Sequence, residues 1–298
     1  VEGRAADRLT PRPAHTDTQV DKARHRAGLV VSEPQGTTIM HYTAIPAAEQ
    51  KFIVLDIEFL TDEALHQSYV RADPMPSTKA RWPMRRLIAA SVLSLSICDG
   101  IVEVEDFRSF SGPDEASVAK KLFGYFAERP QHRCVTWGGL GTDINILRCA
   151  AMSHGLKLPR QLRSGERDRT GHLHLDLAVS MKAGAGAYVH MLELAMRIGA
   201  PCKFGPSAMA IPKLVARGHY RPIEWTAESD VVTTAWILCS HLAAIGEVTS
   251  ADAAHYGLLR HVRLRRGQAP YSSYLGNVMD RLRRRMDDSL NRWLAEAD

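Results

Sequence analysis

The run Phe52-Ile53-Val54-Leu55-Asp56-Ile57-Glu58-Phe59 constrains this chain more than any other stretch. Its apolar, β-branched and aromatic residues describe a buried strand, yet two acids stand two residues apart inside it. Period-2 geometry puts Asp56 and Glu58 on the same face, their side chains close together. Two ionised carboxylates held among apolar neighbours repel and lose solvation. Either that face lies open to water or a cation compensates. Mg²⁺ does so with few carboxylates, because it prefers hard oxygen ligands and keeps several waters.

The elements around this strand read as α/β. Ser91–Ile97 and Ile101–Glu105 alternate apolar and polar residues and are joined by Asp99-Gly100, a two-residue hairpin turn. Asp114 can cap a helix that carries Val118, Leu122, Tyr125 and Phe126 on one face. A short strand at Arg133–Trp137, a glycine turn and a helix from Asp143 to His154, stopped by Gly155, come next. Further elements are predicted at His172–Leu177, Tyr188–Ile198 and Ile223–Ile245. An amphipathic last helix carries Leu275, Met279, Leu282, Met286, Leu290 and Trp293 on one side. Prolines 74, 76 and 83 predict a long loop over 61–83, and residues 1–48 read as an irregular arm with a short strand at Gly28–Val31. A meander followed by alternating helix and strand is the element order of a mixed sheet flanked by helices.

Composition excludes several classes. The chain has 298 residues, 45% hydrophobic and 24% charged, which is ordinary for a globular protein. Five cysteines without a CxxC pair speak against a zinc ribbon or a disulfide framework, and read as small buried apolar residues in a reducing cytoplasm. No apolar run approaches the ~18 residues of a membrane span, and the first residues hold no secretory-type segment. The cytoplasm is the expected location, with no membrane partner. The net charge of +5 is concentrated late: residues 260–298 hold nine Arg against five acids. That pattern fits either a solvated helix face or a phosphate-backbone partner.

Two further acids stand out. Asp143 follows the glycine turn Gly138-Gly139-Leu140-Gly141-Thr142, where a helix N-cap is the simpler reading of the residue alone. Asp230 sits among Val231, Val232, Ala235, Trp236 and Leu238 in a predicted helix, as a surface position or as part of a site. His172 and His174 have an H-x-H spacing without a partner cluster, so an exposed strand edge is the expectation. Gly184-Ala185-Gly186-Ala187 lacks the G-x-G-x-x-G context of a dinucleotide loop, and no G-x-S-x-G elbow is present.

Taken in order, Asp-x-Glu on a first strand, Asp after a strand–glycine turn and Asp in a late helix resemble the DEDD 3′–5′ exonuclease superfamily. The likeness is closer to predicted exonucleases related to the proofreading domain of family B DNA polymerases. It is carried by Val54–Glu58, by Arg86–Ser91, by Val135–Leu147 with His154-Gly155, and by His174–Leu177 through Leu192–Ala195, Gly199-Ala200-Pro201, Lys203 and Glu228–Val231. The resemblance spans roughly 50–247 and implies an RNase H-like domain between the arm (1–49) and a basic helical extension (248–298). It implies Asp56, Glu58, Asp143 and Asp230 as ligands of two Mg²⁺ or Mn²⁺ ions. Asp56 would bridge both, Glu58 and Asp230 would complete the nucleophile side, and Asp143 would hold the second ion through water. The implied activity is hydrolysis of single-stranded nucleic acid ends, with DNA as the substrate.

Departures from that pattern bear on activity. Where such enzymes place a water-orienting Tyr or His, this chain has Thr226 and Trp225. Thr226, four residues before Asp230, is expected to point at the site, but neither side chain is a base. Phe59 stands where a Thr is common, Gly138 replaces an Asn and Thr142 a Phe. Phe59, Trp137 and Gly138, together with Arg281, Arg284 and Arg285, are the expected nucleic-acid contacts. The alternative to a slow exonuclease is a nucleic-acid-binding or regulatory module that keeps the exonuclease shape.

Overall fold

The computed structural model describes residues 49–163, 173–182 and 187–297. The arm through residue 48 with its strand at 28–31, His172, and Gly184-Ala185-Gly186 lie outside the described residues. The elements run β1 (Gln50–Thr61), α1 (Glu63–Ala72), β2 (Arg85–Cys98), β3 (Ile101–Ser111), α2 (Glu115–Ala127), β4 (Arg133–Thr136), α3 (Asp143–Ser153), β5 (His174–Asp176), α4 (Leu177–Lys182), α5 (Met191–Ile198), α6 (Ile211–Ala216), α7 (Tyr220–Ala244), α8 (Ala251–Arg265) and α9 (Ser272–Ala297). The strands form one sheet in the order β3-β2-β1-β4-β5. Pairs β1–β2 and β2–β3 are antiparallel, β1–β4 and β4–β5 parallel. This is the RNase H-like mixed sheet with helices on both faces, and it places β1 in the centre.

The hairpin turn forms as its sequence demands, with Asp99 (φ 50°) and Gly100 (φ 76°) both left-handed. The loop expected over 61–83 contains α1 instead. Asp62 caps it, accepting the Leu65 N–H at 2.9 Å, and the prolines begin only after the helix has ended. The alternation in β2 misleads as well: Leu87–Ile97 are buried on both faces. Its serines are tolerated there because they find partners, Ser91 at Ser109 Oγ (3.0 Å) and Ser94 at Tyr125 Oη (3.1 Å). Helix α8 and the short α4 and α6 go unforeseen.

Two cores result. On one face Ile53, Leu55 and Ile57 pack with α2 and α3. On the other, Phe52 and Val54 pack with α7, where Trp236 is 1% exposed and stacks on His255 at 3.7 Å. Residues from 248 onward join this second core through Leu258, Leu259, Val262, Leu275 and Leu282. Among the described residues, no helix is long and apolar enough to cross a membrane.

Candidate active site

Asp56 and Glu58 continue the Phe52–Val54 face of β1, the face covered by α7. Glu58 pairs with Ala89 and Phe59 with Leu87, so Ile88 is an extra residue in β2. This bulge re-aims the end of the strand pair beside the two acids. Asp230, on α7, meets the same face. The buried strand and the late helix therefore bring three acids to one side of the sheet.

Asp143 arrives from the end of β4. Gly138 turns the chain at φ 71°. A Cβ on Gly139 would come within 2.7 Å of the Thr136 side chain, so the turn is tight enough to require glycine there. The buried Asp176 carboxylate holds the turn. It accepts the N–H groups of Gly138 (2.8 Å) and Leu140 (3.0 Å), and those of Ala178 (3.1 Å) and Val179 (3.3 Å) at the start of α4. The N-cap position of α3 belongs to Thr142, which makes no side-chain cap bond. Asp143 is thus not the cap; it stands in the first turn as a separate acid.

The four carboxylates perturb one another. Enclosure by protein raises the Asp56 carboxyl well above its ordinary value, with Asp230, Glu58 and Asp143 pushing in the same direction. Glu58 is raised to about 8 by burial and then by Asp230, against the opposing pull of Lys203. Asp143 rises to about 7 through burial, Asp176 and Asp230. Burial also raises Asp230, which Lys203 holds back. Lys203 Nζ grips the Asp230 carboxylate at 2.6 and 2.9 Å. Lys203 itself has φ 51°, a left-handed backbone unusual for a side chain of its kind and concentrated at functional sites.

Lys203 belongs to a strap, 201–206, laid along α7. The Phe204 N–H donates to Ser229 Oγ at 3.1 Å, and Thr233 Oγ1 donates to the Pro201 carbonyl at 2.8 Å. A Cβ on Gly205 would strike the Trp225 carbonyl at 2.3 Å, so the strap rests directly on the helix backbone. The strap also changes the expectation for Thr226. Its hydroxyl does not point freely at the acids but donates to the Pro206 carbonyl at 3.1 Å. Trp225 packs against the α7-side core.

The remaining predicted residues divide. Phe59 packs against the α2–α3 core, with the Arg85 guanidinium 4.7 Å from its ring centre; Arg85 also opposes the rise of Asp143. The Gly138 N–H is committed to Asp176, and Trp137 packs partly into the core. Arg281, Arg284 and Arg285 are exposed on α9 around a separate cavity with Gly199 and Trp236, and Arg285 pairs with Asp252 at 2.7 Å. His174 is not at an exposed edge: it is buried against Thr136 Oγ1 at 2.9 Å, and burial pushes it down to about 4. Cys134 and Cys239 are buried as expected, whereas Cys98 is exposed at the hairpin end. The sequence marks Asp176 and Lys203 only as part of the family resemblance and gives Arg85 no role. The signal for Asp176 was available, as an acid at a strand end facing a glycine-rich turn.

The donor set suits a hard divalent cation: four carboxylates, partly enclosed and mutually repelling. As the side chains stand, no three His, Cys, Asp or Glu among the described residues close around a metal position. Lys203 and Arg85 supply the positive charge around the cluster.

Residues 78–274 match a family described as predicted 3′–5′ exonucleases related to the exonuclease domain of PolB. That stretch includes Asp143 and Asp230 and begins after Asp56 and Glu58. No curated protein matches. Similar solved structures include the family B DNA polymerase from the hyperthermophilic archaeon Pyrobaculum calidifontis, at 12% identity and TM-score 0.43 over 72% of this chain and 29% of that one. Exonuclease I in complex with the inhibitor BCBP is 12% identical, TM-score 0.37, over 74% of this chain and 42% of that one. E. coli exonuclease I in complex with a dT13 oligonucleotide is 14% identical, TM-score 0.35, over 59% and 43%. The chain spans less than half the length of each of these proteins. With about two thirds of its length matched by the family's profile, the chain belongs to the predicted 3′–5′ exonucleases related to the exonuclease domain of family B DNA polymerases.

Proposed function

We propose that this chain is a slow, metal-dependent 3′–5′ exonuclease that removes nucleotides from single-stranded DNA ends. The observation that carries the reading is the convergence of Asp56, Glu58, Asp143 and Asp230 from a strand, a turn and a helix, where Asp230 raises the carboxyls of the other three. Two divalent ions, when bound, supply an acidified water and stabilise the departing 3′ oxygen. The four carboxylates would hold those ions. Asp176 keeps the turn of Asp143 in place, and Lys203 orients Asp230. Arg85, whose charge is felt by Asp143, would take a phosphate oxygen. Without a Tyr or His to position the water, and with Thr226 engaged by Pro206, the chain forgoes general-base help worth about 10²–10⁴-fold.

The Lys203–Asp230 pair and the engaged Thr226 favour a second reading, a non-hydrolytic module that binds single strands. Incubating 5′-labelled single-stranded DNA with Mg²⁺ or Mn²⁺ separates the two. The wild-type chain is expected to give a ladder shortening from the 3′ end, and the Asp56→Ala/Asp143→Ala variant none. Equal rates for both proteins end the enzyme reading, and strand binding without hydrolysis establishes the second.

A further inference from the structure

We propose that a cavity between α2 and the loop after α3 is a docking site for an acidic protein segment bearing a bulky apolar side chain. The site is independent of the nuclease reading. The cavity measures about 510 Å³, within the range of roughly 300–1,000 Å³ typical of ligand sites. Its floor is apolar, formed by Phe123, Phe126, Leu156 and Leu158, and none of its thirteen lining residues is acidic. Four exposed cations rim it: Lys120, Lys157, Arg160 and Arg163. Among the described residues, no ion pair includes any of the four.

The walls are fixed before any ligand arrives. The Gln161 amide donates to the carbonyls of Phe126 (3.3 Å) and Arg129 (2.9 Å), tying the loop to the end of α2. Arg163 Nε donates to the Leu158 carbonyl at 3.0 Å.

Gly124 is the second, independent observation. It lies inside α2, where glycine weakens a helix relative to alanine, and it lines the cavity. A Cβ there would meet nothing within 4 Å, and its φ is not left-handed. Neither internal crowding nor backbone conformation calls for glycine at this position. Without a side chain there, the helix backbone lies open to close approach by an outside group.

The chemistry selects the occupant. Phe126 is fully buried and Phe123 5% exposed, so the floor shows no free ring on which nucleic-acid bases could stack. Aliphatic walls under a ring of unpaired cations suit an apolar side chain flanked by carboxylates. The floor belongs to the core on the α2–α3 face, opposite the face that carries Asp56, Glu58 and Asp230. An occupant would leave those acids open.

Fluorescence anisotropy with a labelled Glu-Asp-Leu-Phe-Glu-Asp peptide tests the proposal. The full chain is expected to bind it, and the basic counterpart Lys-Arg-Leu-Phe-Lys-Arg should not bind. Gly124→Leu, which fills the slot, should weaken binding about tenfold or more. Should that variant fold poorly, the exposed Lys157→Glu/Arg160→Glu pair provides the same loss through charge. Binding of an oligothymidine strand should be unchanged in both variants. Absence of peptide binding by the wild-type chain overturns the proposal, as does undiminished binding by the charge-reversed variant. A loss of oligothymidine binding instead of peptide binding assigns the rim to nucleic acid and overturns it too.

Discussion

Asp56→Asn is expected to melt higher than the unsubstituted chain in EDTA while losing hydrolysis by about 10²-fold or more. Asp56 sits where three other acids and the surrounding protein all oppose its charge. Removing that charge relieves a strain retained for function, a class of substitution that commonly adds about 0.5–2 kcal/mol. At the size of this chain that corresponds to a few degrees of melting temperature. The pH dependence has a definite sign. The folded-state values of Glu58 and Asp143, about 8 and 7, lie above their ordinary 4.5 and 3.8. A raised acid costs the fold nothing below its unfolded value and its full penalty above its folded one. The metal-free wild type should therefore lose stability as pH rises from about 4 to 8 through Glu58 and Asp143, and the advantage of Asp56→Asn should widen as pH rises. Melting curves at several pH values measure it; a variant that melts lower throughout refutes the electrostatic account.

Glu228→Ala should destabilise the fold by about 3–5 kcal/mol. Glu228 is fully buried two residues before Asp230 yet serves a different purpose. Its carboxylate accepts from Ser109 Oγ and Arg266 Nε, each at 2.7 Å, and from the Tyr271 hydroxyl; Arg221 stands at 3.8 Å. One side chain on α7 thereby ties β3 to the connection between α8 and α9. Truncation leaves Arg266, itself packed over Phe107 at 4.9 Å, without its counter-charge, and orphans a buried hydroxyl. Glu228→Gln keeps the acceptor oxygen and should cost less. Urea unfolding followed by circular dichroism reads both variants, and a loss under 1 kcal/mol for Glu228→Ala would contradict the role given to this network.

Glu228 also shows where sequence reasoning stops. In Glu228-Ser229-Asp230 both acids look alike, and only contacts to residues 109, 266 and 271 separate the structural one from the one at the site. Local signals did carry far. The apolar run with two acids located β1, Asp99-Gly100 located the hairpin, and Gly155 ended α3. The same strand face for Asp56 and Glu58 followed from period 2 alone. What failed was non-local. The serines of β2 read as polar positions of a half-buried strand because Ser109 and Tyr125, the partners of Ser91 and Ser94, lie elsewhere in the chain. Thr226 was expected at the site because nothing in the sequence reveals that Gly205 lets a strap settle on α7 and draw its hydroxyl to Pro206. His174 lies on the edge strand β5 but is buried rather than exposed, against a partner, Thr136, that lies 38 residues away in sequence.

The central claim is that Asp56, Glu58, Asp143 and Asp230 act as one divalent-metal site. Crystals soaked in Mn²⁺ and examined by anomalous scattering test it directly. Manganese held jointly by these carboxylates, with the Lys203 ammonium shifted off Asp230, is the predicted result. Manganese bound only at scattered surface acids, with Lys203 still clasping Asp230, would contradict it.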